Sequence, residues 1–190
     1  ADTLTETIAG FHDTKARFAA FEKAVEEDVC GRAAGVQQEI RFIKDRYDVA
    51  CVLGDLLEAG ELPLRVTHND TKSNNVLMDN ATGKGLCVID LDTVMPGLAV
   101  NDFGDSIRFG ASTGAEDEKD LSKISCDMEL YDIYAKGFVE GCGGALTDME
   151  IECLPIGAKV MTYECGMRFL TDYLSGDTYF KVDYPTHNLD

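Results

Sequence analysis

The stretch of residues 64–92 constrains the fold of this chain more than any other feature. Its first half reads H-x-D-x-x-x-x-N, with His68, Asp70 and Asn75 at the named positions. A loop of this spacing presents a carboxylate base and an amide ligand to one cavity, which is the arrangement that phosphoryl transfer to a hydroxyl requires. A lone H-x-D triplet is a weak signal, but the full pattern is difficult to meet by chance.

Two short apolar runs follow this motif. Residues 76–78 and 86–89 predict two short buried strands, and the turn-forming residues 79–85 separate them. A hairpin of this size would bring Asp90, at its exit, opposite Asn75, at its entrance. Because Mg²⁺ prefers oxygen ligands and keeps some of its waters, one amide and one carboxylate would hold it together with phosphate groups.

The residue types suggest a role for each member of the motif. Asp70 would accept the proton of the attacking hydroxyl, and Lys72, two residues further on, would neutralise charge on the group in transfer. Asn75 and Asp90 would hold the Mg²⁺ that bridges the phosphates of ATP. We group His68, which opens the motif, with these catalytic residues.

A second aspartate competes with Asp90 for the metal. Asp102 begins the sequence D-F-G, which spells the magnesium-binding triplet of protein kinases, but it lies 27 residues beyond Asn75, whereas Asp90 lies 15 beyond. A metal ligand has to emerge beside the catalytic loop, residues 68–75, and the exit of the hairpin does so. We therefore assign the metal to Asp90 and interpret Asp102 as a structural residue that bonds the backbone of the catalytic loop.

The sequence D-x-D at Asp90 and Asp92 allows an alternative chemistry. Phosphatases of the haloacid dehalogenase class present a nucleophile and an acid/base in this way, so Asp90 would become phosphorylated and Asp92 would protonate the leaving group. In that class the motif usually opens the fold, but here 89 residues precede it. The phosphatase interpretation also leaves His68, Asp70 and Asn75 unexplained.

Composition limits the class of partner. The chain has 190 residues and a net charge of −18, from 35 acidic and 17 basic side chains. This charge argues against a nucleic acid or an anionic membrane as a partner. No apolar run approaches the length of a membrane span and no signal peptide is recognised, so we expect a cytoplasmic protein. The seven cysteines form no C-x-x-C pair, which favours buried reduced thiols.

Apolar residues recur at helical spacing on both sides of the motif. The helical segments predicted in this way are 14–30, 40–60, 101–110, 128–138 and 147–174. A loop is expected around Pro96 and Gly97. His12 is interpreted as a surface or capping histidine rather than a ligand. The predicted fold is α+β, a mainly helical lobe with one small β-hairpin at the catalytic centre.

These motifs resemble those of the aminoglycoside phosphotransferase and choline kinase superfamily, which has a protein-kinase-like fold. That family uses H-x-D-x-x-x-x-N, a strand ending in I-D, and an aspartate about twelve residues further on. The corresponding residues here are His68, Asp70, Asn75, Asp90 and Asp102. Within the family, the sequences T-H-N-D-T-K-x-N-N-V, V-I-D-L-D-T-V-M-P-G-L and D-F-G-D-S-I-R-F-G are most similar to bacterial N-acetylhexosamine 1-kinases.

The resemblance implies ATP-dependent phosphorylation of the anomeric hydroxyl of GlcNAc or GalNAc by direct in-line transfer. Kinases of choline, aminoglycosides or homoserine are the alternatives within the family. By position, Asp92, Arg168 and Tyr179 would contact the sugar. From the residues alone, Arg168 is equally well a cation on a helix surface, and Tyr179 is better explained as a packing aromatic.

The resemblance also implies a missing part. A complete kinase of this family has a smaller lobe upstream, with a glycine-containing loop over the phosphates and a lysine on a strand, but only two helical patterns precede Asp70. We expect residues 1–190 to be the C-terminal catalytic and acceptor-binding lobe, with the N-terminal lobe of the same protein as its partner. Alone it should hold a sugar weakly and transfer phosphate poorly. A protein kinase is disfavoured, since Asn69 replaces the usual arginine before the base.

Overall fold

The computed structural model describes residues 4–116 and 118–189, and in this part of the chain it has six α-helices and four short strands. The helices are α1 (Thr14–Glu27), α2 (Gln37–Lys44), α3 (Tyr47–Glu58), α4 (Ala99–Gly110), α5 (Met128–Gly141) and α6 (Asp148–Ser175). The strands are β1 (Arg65–Thr67), β2 (Val76–Met78), β3 (Gly85–Val88) and β4 (Met95–Gly97). The strands pair as two antiparallel ladders, β1 with β4 and β2 with β3. The predicted α+β fold is confirmed.

Helix α6 organises the core. It is 28 residues long and contributes buried side chains to two hydrophobic clusters. One cluster joins α6 to α1 and α2, through Phe18, Phe21, Ile40, Met167 and Leu174. The other joins α6 to α4 and includes Val100, Phe103, Leu154 and Val160. Because α4 follows residues 64–92 closely in the chain, this second cluster anchors that stretch to the longest helix.

Local signals explain where α6 begins and ends. Thr147 and Glu150 form the capping box that their spacing predicts, with the Thr147 hydroxyl accepting from the Glu150 N–H and the Glu150 carboxylate accepting from the Thr147 N–H. At the other end Gly176 adopts a left-handed conformation, with φ of 97°, which glycine reaches without a steric penalty. Both ends of this helix were predicted from the sequence.

The β1–β4 ladder was not predicted, because Pro96 and Gly97 suggested a loop. In the ladder Arg65 pairs with Gly97 and Thr67 pairs with Met95. A two-stranded ladder consists of edge strands only, so a proline is tolerated there. This ladder brackets the catalytic loop and the hairpin, since β1 precedes them in the chain and β4 follows them.

The β2–β3 hairpin has the predicted position but not the predicted burial. Val76 pairs with Val88, and the backbone N–H of Ile89 donates to the Asn75 carbonyl at 2.9 Å. The strands were expected to be buried, and this was wrong: Leu77 is 49% exposed and Leu86 is 65% exposed. Apolar composition identified the strands, but no described element packs over them.

The single helix predicted over residues 40–60 was also wrong. The chain breaks at Asp45 and Arg46, between α2 and α3. At the end of α2 the Ile43 carbonyl accepts two hydrogen bonds, one from the Arg46 N–H at 3.2 Å and one from the phenol of Tyr163 on α6 at 2.9 Å. The apolar spacing continues across the break, which is why periodicity alone does not reveal it.

The cysteines are all free thiols, but the prediction of buried thiols fails for several of them. Cys51 and Cys153 are buried, whereas three others are exposed: Cys30, Cys87 and Cys126. Within the described residues, no helix combines the length and the apolar character that a membrane crossing needs.

Candidate active site

The catalytic loop brings three of the predicted residues together around one carboxylate. The Asn75 side-chain amide donates to Asp70 Oδ2 at 2.9 Å and to the Asp70 carbonyl at 2.8 Å. Lys72 Nζ lies 3.5 Å from the same Asp70 oxygen. The Asp70 side chain is 29% exposed, so a substrate has access to it. No hydrogen bond between described residues occupies its second oxygen, which is available to accept a proton.

His68 supports this loop from within. Its Nε2 lies 2.9 Å from the Ile89 carbonyl, and its Nδ1 lies 3.3 Å from the backbone N–H of Asp70. A ring nitrogen that faces a carbonyl has to carry the proton, and one that faces an N–H has to lack it. His68 therefore donates through Nε2 and accepts through Nδ1. Both ring nitrogens are engaged by the backbone, which favours a positioning role for a residue that we grouped with the catalytic ones.

Asp102 lies beneath the loop, at the start of α4. Its two carboxylate oxygens accept from the backbone N–H groups of His68, at 2.8 Å, and Asn69, at 2.7 Å. Burial raises the pKa of Asp102, and these two hydrogen bonds oppose the rise. The hydroxyl of Thr71 also donates to the Asp102 carbonyl at 2.6 Å. The loop is thus bonded to Asp102, in the first turn of α4, through His68, Asn69 and Thr71.

Asn69 precedes the base, at the position where protein kinases have an arginine. The sequence alone suggested no further role for it. It has a left-handed backbone, with φ of 66°, and is 5% exposed. Its side-chain amide donates to the Thr93 carbonyl at 2.9 Å, and its side-chain oxygen accepts from the Thr67 hydroxyl at 2.9 Å. Asparagine tolerates this backbone conformation better than most residues. An asparagine at this position was therefore the one sequence signal for a left-handed residue before the base.

The two predicted metal ligands lie at neighbouring ends of the hairpin. The hydrogen bond from Ile89 N to Asn75 O places Asp90 directly after a residue that is bonded to Asn75. Asp90 has φ of 65° and ψ of 54°, a left-handed conformation at the strand exit. Within residues 4–116 and 118–189, no hydrogen bond occupies the Asn75 side-chain oxygen or the Asp90 carboxylate. These oxygen donors fit Mg²⁺, which commonly takes one or two protein ligands plus phosphate and water.

No larger metal site competes with this pair in the described chain, where no group of three or more His, Cys, Asp or Glu side chains is arranged to hold an ion. A site of one amide and one carboxylate is therefore the arrangement to test.

The predicted sugar-binding residues form one pair and one separate residue. Arg168 Nη2 lies 3.3 Å from the Tyr179 hydroxyl, and the guanidinium lies 5.7 Å from the centre of the Phe11 ring. Tyr179 is 67% exposed, and its ring meets that of Phe180 edge-on, with 4.8 Å between the ring centres. No ion pair or hydrogen bond in the described part of the chain links these residues to Asp92. The Asp92 carbonyl instead accepts a long hydrogen bond of 3.4 Å from the Thr7 hydroxyl.

The position of Tyr179 depends on a buried carboxylate that the sequence analysis did not single out. Asp172 is 5% exposed and accepts from the backbone N–H groups of Thr178, Tyr179 and Phe180 at 2.8–3.0 Å. The Asn188 side chain donates to it as well, at 3.0 Å. Asp172 lies one helical turn beyond Arg168 on α6, so it holds the tyrosine close to the arginine.

A family model described as the phosphotransferase enzyme family matches residues 2–134 of the chain. This span is 133 of the 190 residues, and it includes the catalytic loop, the hairpin and Asp102. It ends before α6, so Arg168 and Tyr179 lie outside it.

Proposed function

The chain belongs to the phosphotransferase enzyme family, and from this premise we propose that it is the catalytic part of a small-molecule kinase that phosphorylates a sugar hydroxyl. The proposed acceptor is the anomeric (C1) hydroxyl of an N-acetylhexosamine, GlcNAc or GalNAc, and the proposed donor is Mg-ATP. The transfer is direct and in line, without a covalent intermediate on the enzyme. The match of the family model across Asp90 and Asp92 argues against the phosphatase alternative.

One observation carries the proposal. Asp70 has one carboxylate oxygen held by the Asn75 amide, with Lys72 3.5 Å away, and a second oxygen without a partner among the described residues. This is the arrangement of an oriented general base: one oxygen fixes the carboxylate, and the other receives the proton of the attacking hydroxyl. Phosphoryl transfer needs little covalent chemistry from the protein, so positioning and charge are the main contributions.

The other residues of the loop complete this chemistry. Asn75 and Asp90 would hold Mg²⁺, whose contribution when bound is to neutralise charge on the nucleotide phosphates. Lys72 is 38% exposed and free to turn toward a phosphoryl oxygen. Its contact with Asp70 is an exposed ion pair of low energetic value, so little is lost when it turns.

The acceptor assignment draws support from the chemistry around Arg168. Sugar hydroxyls need paired donors and acceptors, and an aromatic surface suits the faces of a sugar ring. The guanidinium supplies donors, and the rings of Phe11, Tyr179 and Phe180 lie within 5.5–5.7 Å of it. The carboxylate of Asp92 would supply an acceptor. The similarity of these motifs to N-acetylhexosamine 1-kinases selects the sugar.

We also propose that residues 1–190 are the C-terminal lobe and that an N-terminal lobe of the same protein completes the nucleotide site. The exposed apolar side chains of the hairpin, Leu77, Leu86 and Val88, support this proposal, because a surface of this kind is suited to contact another part of the enzyme or the base of the nucleotide.

The test of the mechanism is Asp70→Asn in the full-length protein. Loss of a general base is expected to lower kcat by about 10²- to 10⁴-fold, measured as acceptor-dependent ADP formation with Mg-ATP. Asp132→Asn, a matched change at an exposed site on α5, is the control and should leave kcat unchanged. Near-normal turnover of the Asp70 variant would contradict the role of Asp70 as general base.

The acceptor is tested separately, by offering GlcNAc, GalNAc, glucose, choline and an aminoglycoside to the same protein. We expect turnover with the two N-acetylhexosamines. Turnover only with choline or the aminoglycoside would contradict the proposed acceptor and favour another acceptor class of the family. Release of phosphate from a sugar phosphate without ATP would return the site to the phosphatase alternative.

A further inference from the structure

His12 is buried between α6 and the catalytic loop, although the sequence suggested a surface or capping residue. Its side chain is 9% exposed, and its Nδ1 lies 2.8 Å from a carboxylate oxygen of Glu164 on α6. Its Nε2 lies 2.9 Å from the backbone carbonyl of Asn69. The expectation for His12 was therefore wrong. The burial comes from a contact across 152 positions of the chain, which no local pattern reveals.

The partners of His12 define its protonation state. A carboxylate and a carbonyl are both acceptors, so the two ring nitrogens make two hydrogen bonds only if both carry a proton. The second oxygen of Glu164 accepts from the Thr14 hydroxyl at 2.6 Å, so the carboxylate is also held in place. Burial lowers the pKa of His12, but the hydrogen bond and charge of Glu164 and the bond to Asn69 outweigh it and raise the pKa above 6.5.

The carbonyl that His12 contacts belongs to the peptide group that precedes the base. This peptide group joins Asn69 to Asp70, and its N–H donates to Nδ1 of His68 at 3.3 Å. Its carbonyl accepts from His12 and its N–H donates to His68, so two imidazoles, one as donor and one as acceptor, hold the two ends of one peptide plane. Turning this plane would swing the Asp70 side chain away from Asn75.

The peptide group needs this support because Asn69 is in the left-handed region, with φ of 66°. This region is sparsely populated by residues other than glycine, and the conformation persists only where surrounding contacts enforce it. Asp102 fixes the N–H side of Asn69, at 2.7 Å. The carbonyl side is fixed by His12.

We propose that His12 is a positioning residue of the catalytic loop, which as the doubly protonated imidazole holds the Asn69–Asp70 peptide in the orientation that aims the Asp70 carboxylate at its substrate. The inference rests on the proposed function, in which Asp70 is the base. The role requires the proton on Nε2, which donates to the Asn69 carbonyl. Because the Glu164 carboxylate can only accept, it keeps the other proton on Nδ1, so the loss of one proton from the ring removes the contact with the loop.

The role makes catalysis sensitive to pH. Charged groups face His12 from two packed helices, Glu164 on α6 and Asp102 and Asp105 on α4, and all three are acidic. The protonated form is therefore favoured at pH 6.5 and below, and is lost as the pH rises through the raised pKa of His12. Turnover should fall over the same range as the loop loosens.

Two isosteric variants separate the two contacts. In His12→Gln the amide nitrogen replaces Nε2 and retains the donor to Asn69, whereas in His12→Asn it replaces Nδ1 and retains only the donor to Glu164. In the full-length protein, His12→Asn should lower kcat by about 10- to 100-fold, the scale of a displaced catalytic group, with the acceptor KM little changed. His12→Gln should retain most of kcat and lose the decline at high pH. Equal kcat in the two variants would overturn the inference.

A second measurement does not depend on activity. In the ¹⁵N-labelled full-length protein, the ring-nitrogen chemical shifts of His12 should be those of a doubly protonated imidazole at pH 6.5. The Asp70 amide should exchange with solvent at least ten times faster in His12→Asn than in His12→Gln, with the Val160 amide of α6 unchanged. A ring with a single proton at pH 6, or equal exchange in the two variants, would contradict the role of His12. If these results hold while the full-length protein is inactive, the proposed function fails and the positioning role stands.

Discussion

At the scale of single residues, the site is defined by side chains that bond the backbone rather than the substrate. Asp102 accepts two N–H groups of the catalytic loop, and Asp172 accepts three N–H groups around Tyr179. A carboxylate that accepts several backbone N–H groups fixes their orientation through charge-assisted hydrogen bonds. Asp102 thus fixes the backbone next to the base Asp70, and Asp172 fixes the backbone of Tyr179, a predicted sugar contact.

The substitution Asp102→Asn tests this role. Asparagine retains one acceptor, but its amide nitrogen would face the N–H of His68 or Asn69 and leave a buried donor unpaired. Burial raises the pKa of Asp102, which shows that the buried charge is costly. Because asparagine is neutral, the variant avoids this cost, and that offsets part of the loss. We expect the free energy of unfolding to fall by about 1–2 kcal/mol in urea denaturation. Asp132→Asn, at an exposed position, should change it by less than about 0.5 kcal/mol, and equal effects would contradict the role.

At the scale of elements, the contact of α4 with α6 positions the site. A Cβ atom at Gly157 of α6 would meet the Val100 carbonyl, and one at Gly104 of α4 would meet the Gly157 carbonyl, each within 2.3 Å. The two helices therefore approach at backbone distance where these glycines cross. Because Asp102 lies on the same turn of α4 as Val100 and Gly104, this close approach sets how far the catalytic loop stands from α6.

The substitution Gly157→Ala should force the two helices apart. We expect a loss of about 2–3 kcal/mol in the free energy of unfolding, the cost of overpacking against a backbone that cannot move away. Gly166→Ala provides a control in the same helix, since no atom lies within 4 Å of its Cβ position. That variant should gain up to about 1 kcal/mol, because alanine is the better helix former. A stabilised Gly157→Ala protein would disprove the close contact.

At the scale of the whole molecule, two buried glutamates of α6 join distant parts of the chain. Glu150 and Glu164 are each 1% exposed. Glu150 accepts two hydrogen bonds from the guanidinium of Arg65 on β1, at 2.9 and 2.7 Å, and Glu164 bonds His12. The first pair ties β1 to the start of α6. The second pair, through His12, ties the catalytic loop to the middle of α6.

The two pairs give stability opposite dependences on pH. Arg65 lowers the pKa of Glu150 below 4.5, against the effect of burial, so the stability from this pair is present above pH 4.5 and is lost as the pH falls through the lowered pKa. The pKa of His12 is raised above 6.5, so its contribution is present below pH 6.5 and is lost as the pH rises through the raised pKa.

The substitution Arg65→Gln should remove the first of these dependences. It leaves a buried carboxylate without its cation, so we expect the free energy of unfolding at pH 7 to fall by about 2–3 kcal/mol. The difference from the unmodified chain should shrink as the pH falls and Glu150 becomes protonated, which urea denaturation from pH 3 to 8 would measure. Lys136→Gln, which breaks an exposed pair, should cost less than about 0.5 kcal/mol. A difference that does not change with pH would exclude the pairing as its cause.

The sequence by itself determined the features that depend on a few neighbouring residues. The capping box at Thr147, the glycine end of α6 and the hairpin after Asn75 were all predicted, because caps and turns are set by side chains within four or five positions. The proximity of Asp70, Asn75 and Asp90 was likewise expected from their spacing, since a loop and a hairpin of that length bring their ends together. These local signals were sufficient to locate the candidate site.

Only the tertiary structure decided how that site is held. Tyr163 bonds the Ile43 carbonyl at the end of α2, Glu164 bonds His12, and neither partner lies within one hundred residues of its contact. Apolar composition likewise did not reveal that the hairpin at Leu77 is exposed. Hydrophobic pattern and turn chemistry act over a few positions, whereas a buried hydrogen bond or ion pair exists only after distant elements have packed, and therefore only the folded structure shows which atoms it joins.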